Sequence, residues 1–147
     1  MKVSDLLKSK GSGVYTIESH STMAETLKRM IENKVGSLVV IDAVHSPVGI
    51  ITERDILRIL ESKLNTEWRK TAVGDLMTKD ILIGVPSDDV DYIMALMTEN
   101  RFRHVPIMSD GKLVGLISIG DIVKSMLKDI KAENHYLSDY IAGKYPA

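Results

Sequence analysis

The chain has 147 residues, of which 44% are hydrophobic and 27% are charged, and it carries a net charge of -1 and no cysteine. These values are typical of one compact globular unit and argue against non-specific binding to nucleic acid or an anionic membrane, both of which need clustered Lys and Arg. They also exclude disulfides, a Cys nucleophile and Cys-ligated metals, and because the apolar runs are too short for a membrane span or signal peptide, we expect a cytoplasmic location.

The first half of the chain predicts a short extended segment at Val14 to Ile17, followed by a capping-box pattern that begins at Thr22. Apolar side chains then recur at helical spacing: Leu27, Met30, Ile31 and Val35. Two runs rich in β-branched residues, Leu38 to Ile41 and Val48 to Thr52, are predicted to be adjacent strands. Helical spacing resumes from Asp55 to Ser62, so the predicted order is β-α-β-β-α.

The second half repeats this order after a polar connector at Ser62 to Thr71. An extended segment is predicted at Ile81 to Val85. The apolar residues of the helix that follows are Val90, Ile93, Met94 and Met97. Strands are predicted at Val105 to Met108 and Leu113 to Ser118, and a helix at Asp121 to Lys128.

The two halves align as copies of one repeat. Val48 to Arg58 aligns with Val114 to Lys124, and Val3 to Leu7 aligns with Val73 to Met77 in the same order. Neither copy can bury both faces of its strands alone. We therefore predict an α/β (α+β) fold in which two pseudo-twofold-related repeats pack sheet to sheet.

The predicted division of the chain is repeat 1 at residues 1–66, repeat 2 at 67–128 and a helical tail at 129–147. The tail contains apolar residues at helical spacing: Tyr136, Leu137, Tyr140 and Ile141. Such a helix needs a surface to pack on, either its own module or a second chain. Because twofold dimers are the commonest oligomers, we predict a homodimer.

One motif occurs in both copies: Gly, two apolar residues, Thr or Ser, two variable residues and Asp, at Gly49 to Asp55 and Gly115 to Asp121. It spans a strand end and the first turn of a helix, where free backbone amides attract anions. The hydroxyl can donate to a phosphate or ribose oxygen, the Asp can accept from two sugar hydroxyls, and the Gly would let a ligand approach the backbone. The same pattern is also a capping box that needs no ligand.

From Val3 to about Leu127 both copies resemble paired cystathionine-β-synthase (CBS) domains, the arrangement called a Bateman module. The resemblance implies a regulatory module that binds an adenosine-containing ligand (AMP, ADP, ATP or NAD(H)) and signals to an unidentified partner protein. It implies no catalytic residue, and no metal is predicted. A ligand-free structural module is the alternative, and an enzyme is the weakest hypothesis because no Ser-His-Asp set, P-loop or metal cluster occurs.

The resemblance also implies two sites. The residues that it places in the first site are Thr16, Ile17, Thr52 and Asp55. Those that it places in the second site are Ile83, Val85, Val105, Pro106, Ser118 and Asp121. Arg103 and His104, where the first copy has Gly36 and Ser37, would add phosphate donors to the second site, and Arg54 would reach across the shared cleft. An exposed Arg103 on a solvated face and a structural His104 are the alternatives.

Overall fold

The computed structural model describes residues 1–11, 13–62 and 66–142. The first copy contains α1 (Val3–Lys10), β1 (Thr16–Glu18), α2 (Met23–Asn33), β2 (Ser37–Ile41), β3 (Pro47–Thr52) and α3 (Glu53–Glu61). A 3-10 turn (Thr66–Lys70) leads to α4 (Val73–Leu76), α5 (Val90–Asn100), β4 (His104–Ser109), β5 (Lys112–Ser118) and α6 (Ile119–Ile141). The predicted α/β architecture of two repeats is confirmed.

The two sheets share one hairpin design. In the first sheet β1 pairs in parallel with β2, and β2 pairs with β3 in antiparallel fashion. In the second sheet β4 and β5 form the equivalent antiparallel hairpin, and both hairpins have a bulge at the matching place, after Val40 and after Ile107. The extended segment predicted at Ile81 to Val85 contributes only one isolated parallel bridge, from Gly84 to Ile107.

The start of α2 agrees with the sequence prediction, whereas the N-cap residue of α5, Asp89, makes no side-chain capping hydrogen bond, and α2 ends at Asn33, before the predicted helical position Val35. In α2 the Thr22 hydroxyl accepts a 3.2 Å hydrogen bond from the Glu25 amide, and the Glu25 carboxylate accepts from the Thr22 amide, which completes the predicted capping box. α2 and α5 end at equivalent left-handed residues, Lys34 (φ 54°) and Arg101 (φ 59°). The left-handed turn at Arg101 leads directly into the segment that precedes β4.

The N-terminal segment of the chain packs in the core of the second copy. Val3 and Leu6 of α1 are buried together with Val90, Ile93 and Ile117. The Val3 amide donates a 2.9 Å hydrogen bond to the carbonyl oxygen of Asp88, next to the start of α5. An element at the start of the first copy therefore completes the core of the second copy.

The matching segment of the second repeat packs in the core of the first copy. Val73 of α4 is fully buried among side chains such as Met23, Leu38 and Ile51, and its amide donates a 2.7 Å hydrogen bond to the Ser21 carbonyl oxygen. The two repeats thus exchange their N-terminal segments. The sequence alignment does not reveal the exchange, because the two segments have the same apolar pattern and either one could fill either core.

The exchange explains the glycines of the repeated motif, which the sequence analysis assigned to the approach of a ligand. A methyl group added at Gly49 would lie 2.7 Å from the Thr78 carbonyl oxygen, in the segment that follows α4. A methyl group at Gly115 would meet the side chain of Leu7 in α1. The earlier assignment is corrected: each Gly admits the exchanged segment of the other repeat.

The last helix is longer than the sequence predicts. Instead of ending near Lys128 before a separate tail, α6 continues without interruption to Ile141, and every residue from Leu127 to Ser138 is exposed. The final part of the predicted tail, residues 143–147, lies outside the described residues, as does 63–65 of the predicted connector.

Gly49→Ala should destabilise the fold by about 1–3 kcal/mol, because the new methyl group meets backbone that cannot move without breaking the contact. Gly120→Ala is the matched control: its nearest neighbour is the Ser118 hydroxyl oxygen at 3.6 Å, so the substitution should be neutral or stabilise by about 0.5 kcal/mol. Thermal unfolding of both variants measures the difference. Equal melting temperatures would contradict the packing role of Gly49.

Candidate functional site

A cleft of about 650 Å³ lies between the two copies and is lined by residues of both. The first copy contributes the turn between β3 and α3, with Thr52 and Asp55. The second copy contributes Arg103 and His104 before and at the start of β4, and Ser118 at the end of β5. The two motifs predicted to form separate sites therefore face one shared cavity.

The first motif holds its carboxylate in a network of three donors. Asp55 is buried, and its Oδ2 accepts hydrogen bonds from the Thr52 amide at 2.9 Å and the Thr52 hydroxyl at 3.1 Å. Its Oδ1 accepts from the Thr78 hydroxyl at 3.0 Å, and the exposed guanidinium of Arg58 lies 3.8 Å away. The capping box that the sequence allowed is present, and the exchanged segment adds a hydroxyl to it.

The second motif has the same cap but a different neighbour. The Ser118 amide donates to Asp121 Oδ2 at 2.8 Å, and the Asp121 amide donates back to the Ser118 hydroxyl at 3.1 Å. Lys10, the last residue of α1, donates from Nζ to the same Oδ2 at 2.8 Å and to the Leu116 carbonyl oxygen. An ammonium group therefore stands beside the carboxylate of the second motif.

This ion pair lowers the pKa of the Asp121 carboxyl group. Partial burial acts to raise the pKa of its carboxyl group, but the hydrogen bonds from Lys10 and from Ser118, together with the charge of Lys10, outweigh burial and hold the pKa below its ordinary value. The carboxylate is ionised at neutral pH and is neutralised by Lys10. Asp55 has instead the Arg58 guanidinium at 3.8 Å, beyond hydrogen-bond distance, so the cation lies closer to the carboxylate in the second motif than in the first.

His104 is held in its neutral form. Burial lowers the pKa of its imidazole, and the nearby charges of Lys10 and Arg103 lower it further, against the smaller opposing effects of Asp121 and Asp55. At neutral pH His104 is therefore a neutral donor or acceptor at the wall of the cleft. A phosphate beside it would favour the imidazolium form.

The walls of the cleft carry more positive than negative side chains. The cationic side chains are Lys10, Arg54, Arg58, Arg101 and Arg103. The acidic side chains are Glu53, Asp55 and Asp80. The chain as a whole is nearly neutral, so this local excess of positive charge favours an anionic group in the cleft.

The structure brings together six of the residues predicted to bind a ligand: Thr52, Arg54, Asp55, Arg103, His104 and Ser118. Asp121 lies behind Lys10 rather than on the cleft wall. Six other residues predicted to bind the ligand do not line the cleft: Thr16, Ile17, Ile83, Val85, Val105 and Pro106.

The exchange of segments accounts for this placement. Ile17 packs against the first core, the Thr16 carbonyl oxygen accepts a hydrogen bond from Arg29, and Val105 is buried in the second core. The apolar residues that line the cleft are instead Val35, Ile50, Ile81, Phe102 and Leu116, of which Ile81 lies in the segment that follows the exchanged α4.

The sequence analysis missed several residues that line the cleft: Lys10, Arg58, Thr78, Asp80, Ile81 and Phe102. A signal for two of them was present. Extending the alignment of Val3 to Leu7 with Val73 to Met77 by three residues places Lys10 opposite Asp80, a reversal of charge at equivalent positions. Only the fold shows that both positions face the cleft.

Within residues 1–11, 13–62 and 66–142, no helix is long and apolar enough to cross a membrane. Within the same ranges, His, Asp and Glu side chains form no group of three or more that could hold a metal ion.

Comparison with known proteins identifies related chains. The family model of the CBS domain matches residues 3–62 and 73–128. The chain is 35% identical to the CBS domain-containing protein CBSX3, mitochondrial, of Arabidopsis thaliana, over 97% of this chain and 73% of that protein. The structure of the CBS-domain containing protein ATU1752 from Agrobacterium tumefaciens is similar, with a TM-score of 0.78 and 36% identity over 86% of this chain and 99% of that one.

A second solved structure was determined with a ligand. The CBS domain protein PAE2072 from Pyrobaculum aerophilum, complexed with AMP, has a TM-score of 0.71 and is 26% identical, covering 82% of this chain and 89% of that one. The bound nucleotide belongs to that protein.

The pKa of His104 should make stability depend on pH. Because the pKa in the folded state lies below the ordinary value of 6.5, unfolded His104 takes up a proton first as the pH falls. Its contribution is complete above about pH 6.5 and is lost as the pH decreases. The decrease in melting temperature between about pH 8 and about pH 5.5 should be smaller for His104→Gln than for the wild type. An NMR titration that placed the pKa of His104 above 6.5 would contradict this.

Proposed function

The chain belongs to the CBS-domain family, and we propose that it is a regulatory module that binds one adenosine-containing nucleotide in the cleft and transmits the binding to a partner protein. The observation that carries the proposal is the juxtaposition of the Thr52–Asp55 pair of one copy with Arg103 and His104 of the other. A nucleotide has ribose hydroxyls at one end and phosphate at the other, and the cleft offers an acceptor and donors in that order.

The first motif is suited to ribose. A carboxylate has about four lone-pair positions, and Asp55 uses three of them, two for hydroxyl groups of Thr52 and Thr78. Both hydroxyls can rotate toward a ligand oxygen while a ribose hydroxyl takes their place on the carboxylate. The apolar side chains Ile50 and Ile81 line the cleft nearby and offer a surface for the adenine base.

The second copy is suited to bind the phosphate end of the nucleotide. Arg101 and Arg103 are exposed on the cleft wall, and each guanidinium can bind two phosphate oxygens in a fork. Arg54 adds a third guanidinium beside the first motif. Because His104 is neutral without ligand, a bound phosphate should raise its pKa and couple binding to proton uptake below neutral pH.

The contact of Lys10 with Asp121 makes the two motifs unequal. A ribose at the second motif would have to share Asp121 Oδ2 with an ammonium group that also holds the Leu116 carbonyl oxygen. We therefore assign the nucleotide to the first motif, with Arg103 serving its phosphate across the cleft. The known relative complexed with AMP supports an adenosine ligand for this fold.

A ligand-free interaction module is the second candidate function, and one observation favours it. Both motif carboxylates already accept hydrogen bonds from their own chain, in complete capping boxes. The fold therefore needs no nucleotide to satisfy them. Calorimetric titration and thermal unfolding of nucleotide-free protein with AMP, ADP, ATP and NADH distinguish the two candidate functions. If none of the four nucleotides gave binding heat or a shift in melting temperature, the nucleotide-binding function would be rejected.

Arg103→Gln should lower the affinity for AMP and ATP by roughly 10-fold or more, because a charge-assisted hydrogen bond contributes about 1.5–3 kcal/mol. The affinity for adenosine, which has no phosphate, should be nearly unchanged. Lys112→Gln is the matched control, since Lys112 is exposed and does not line the cleft. Isothermal titration calorimetry measures both variants. If AMP and adenosine lost affinity equally, Arg103 would have no phosphate role.

Lys10→Ala should change the number of nucleotides bound per chain from one to two, because it frees Asp121 for a second ribose. The pKa of Asp121 should rise at the same time, since its main hydrogen-bond donor is lost. Calorimetric stoichiometry and an NMR titration measure the two effects separately. A wild-type protein that already binds two nucleotides would contradict the assignment to the first motif.

A further inference from the structure

The second half of α6 extends away from the folded body of the molecule. A helix of 23 residues is about 35 Å long, and the residues from Leu127 to Ser138 are all exposed. An isolated helical segment of about 12–15 residues is only marginally stable in water. The extension therefore needs a partner surface that its own module does not provide.

The exposed apolar side chains of α6 follow a heptad repeat. Spacings of four and three residues alternate without error along one line: Val123, Leu127, Ile130, Asn134, Leu137 and Ile141. The five apolar members are between 48% and 85% exposed, so their apolar surface faces water in the single chain. This spacing of 3.5 residues is the pattern by which one helix packs along another in a left-handed coiled coil.

The heptad line is distinct from the face that holds α6 to its own module. Ile122 is the α6 residue buried in the second core, and Val123, one residue later, lies about 100° further round the helix. The module-facing side and the heptad side therefore do not compete for the same side chains. The first turns of α6 can stay docked while the heptad side meets another helix.

We propose that α6 pairs with α6 of a second copy of this chain in a parallel, in-register two-stranded coiled coil. Alternation places Leu127, Asn134 and Ile141 at the a positions and Val123, Ile130 and Leu137 at the d positions, because four residues separate d from the next a. In a parallel pair each a position faces its own copy, so the two Asn134 amides hydrogen bond to each other. In an antiparallel pair Asn134 would face an apolar d residue and leave its amide unsatisfied.

The flanking charges fit the parallel arrangement. The residues that would lie across the interface from one another are Met126 with Lys131 and Glu133 with Ser138, so no like charges meet. Six core positions are fewer than an independent coiled coil normally needs. The association should therefore be concentration-dependent, with the twofold axis along α6 and both modules at the same end.

Sedimentation equilibrium of the full chain tests the pairing. The wild type should be a dimer at tens of micromolar, and Ile130→Asp should raise the dimer dissociation constant on the order of 100-fold, since two buried isoleucines are replaced by two facing carboxylates. Ala132→Asp, at the outer f position of the same helix, is the matched control and should leave the dimer intact. Circular dichroism confirms that both variants fold. A monomeric wild type, or equal effects of the two variants, would overturn the proposal.

The absence of native cysteine allows a direct test of register and direction. Asn134→Cys should form an interchain disulfide under mild oxidation, because facing a positions bring the two Cα atoms within disulfide reach, whereas Ala132→Cys should not. A dimer that does not cross-link through Asn134→Cys would overturn the parallel arrangement. A dimer that survives Ile130→Asp would show that another surface joins the chains.

Discussion

The structure depends on the exchange of N-terminal segments between the two repeats. Val3 and Val73 are both fully buried, each in the core of the repeat to which it does not belong in sequence. Burial of two such segments ties the copies together more firmly than sheet contact alone, because neither core is complete without the other half of the chain. The glycines of the repeated motif follow from this constraint, since Gly49 and Gly115 are where the exchanged segments pass closest to the strands.

The exchange also equips the candidate site. The last residue of α1, Lys10, contacts Asp121, and Thr78, which follows α4, contacts Asp55. One carboxylate thus receives an ammonium group and the other receives a hydroxyl, although the two motifs share one pattern. This chemical difference between the copies arises outside the motif, in residues that are 111 and 23 positions away along the chain.

Local patterns predicted what is local in this fold. The capping boxes at Thr22 and Thr52 and the two hairpins were predicted from spacing and residue type. The family resemblance, rather than spacing, pointed to Arg103 and His104, which line the cleft. The sequence did not predict which residues line the cleft beside the first motif. Thr16 and Ile17 belong to β1 of the same repeat, whereas the segment beside the first motif follows α4 and comes from the other repeat. Which of two equivalent apolar segments fills which core is decided by tertiary packing, and periodicity carries no information about it.

The exchange of N-terminal segments has a consequence for the order in which the cores can form during synthesis. Val3 is synthesised before its neighbours Val105, Ile117 and Ile122, which lie more than a hundred residues further along the chain. The contacts that close the second core therefore span more than a hundred residues and must bear the corresponding loop-closure entropy before they stabilise anything. Until β5 has been synthesised, α1 is an amphipathic segment with no core to enter, so we expect the two repeats to fold as one cooperative unit.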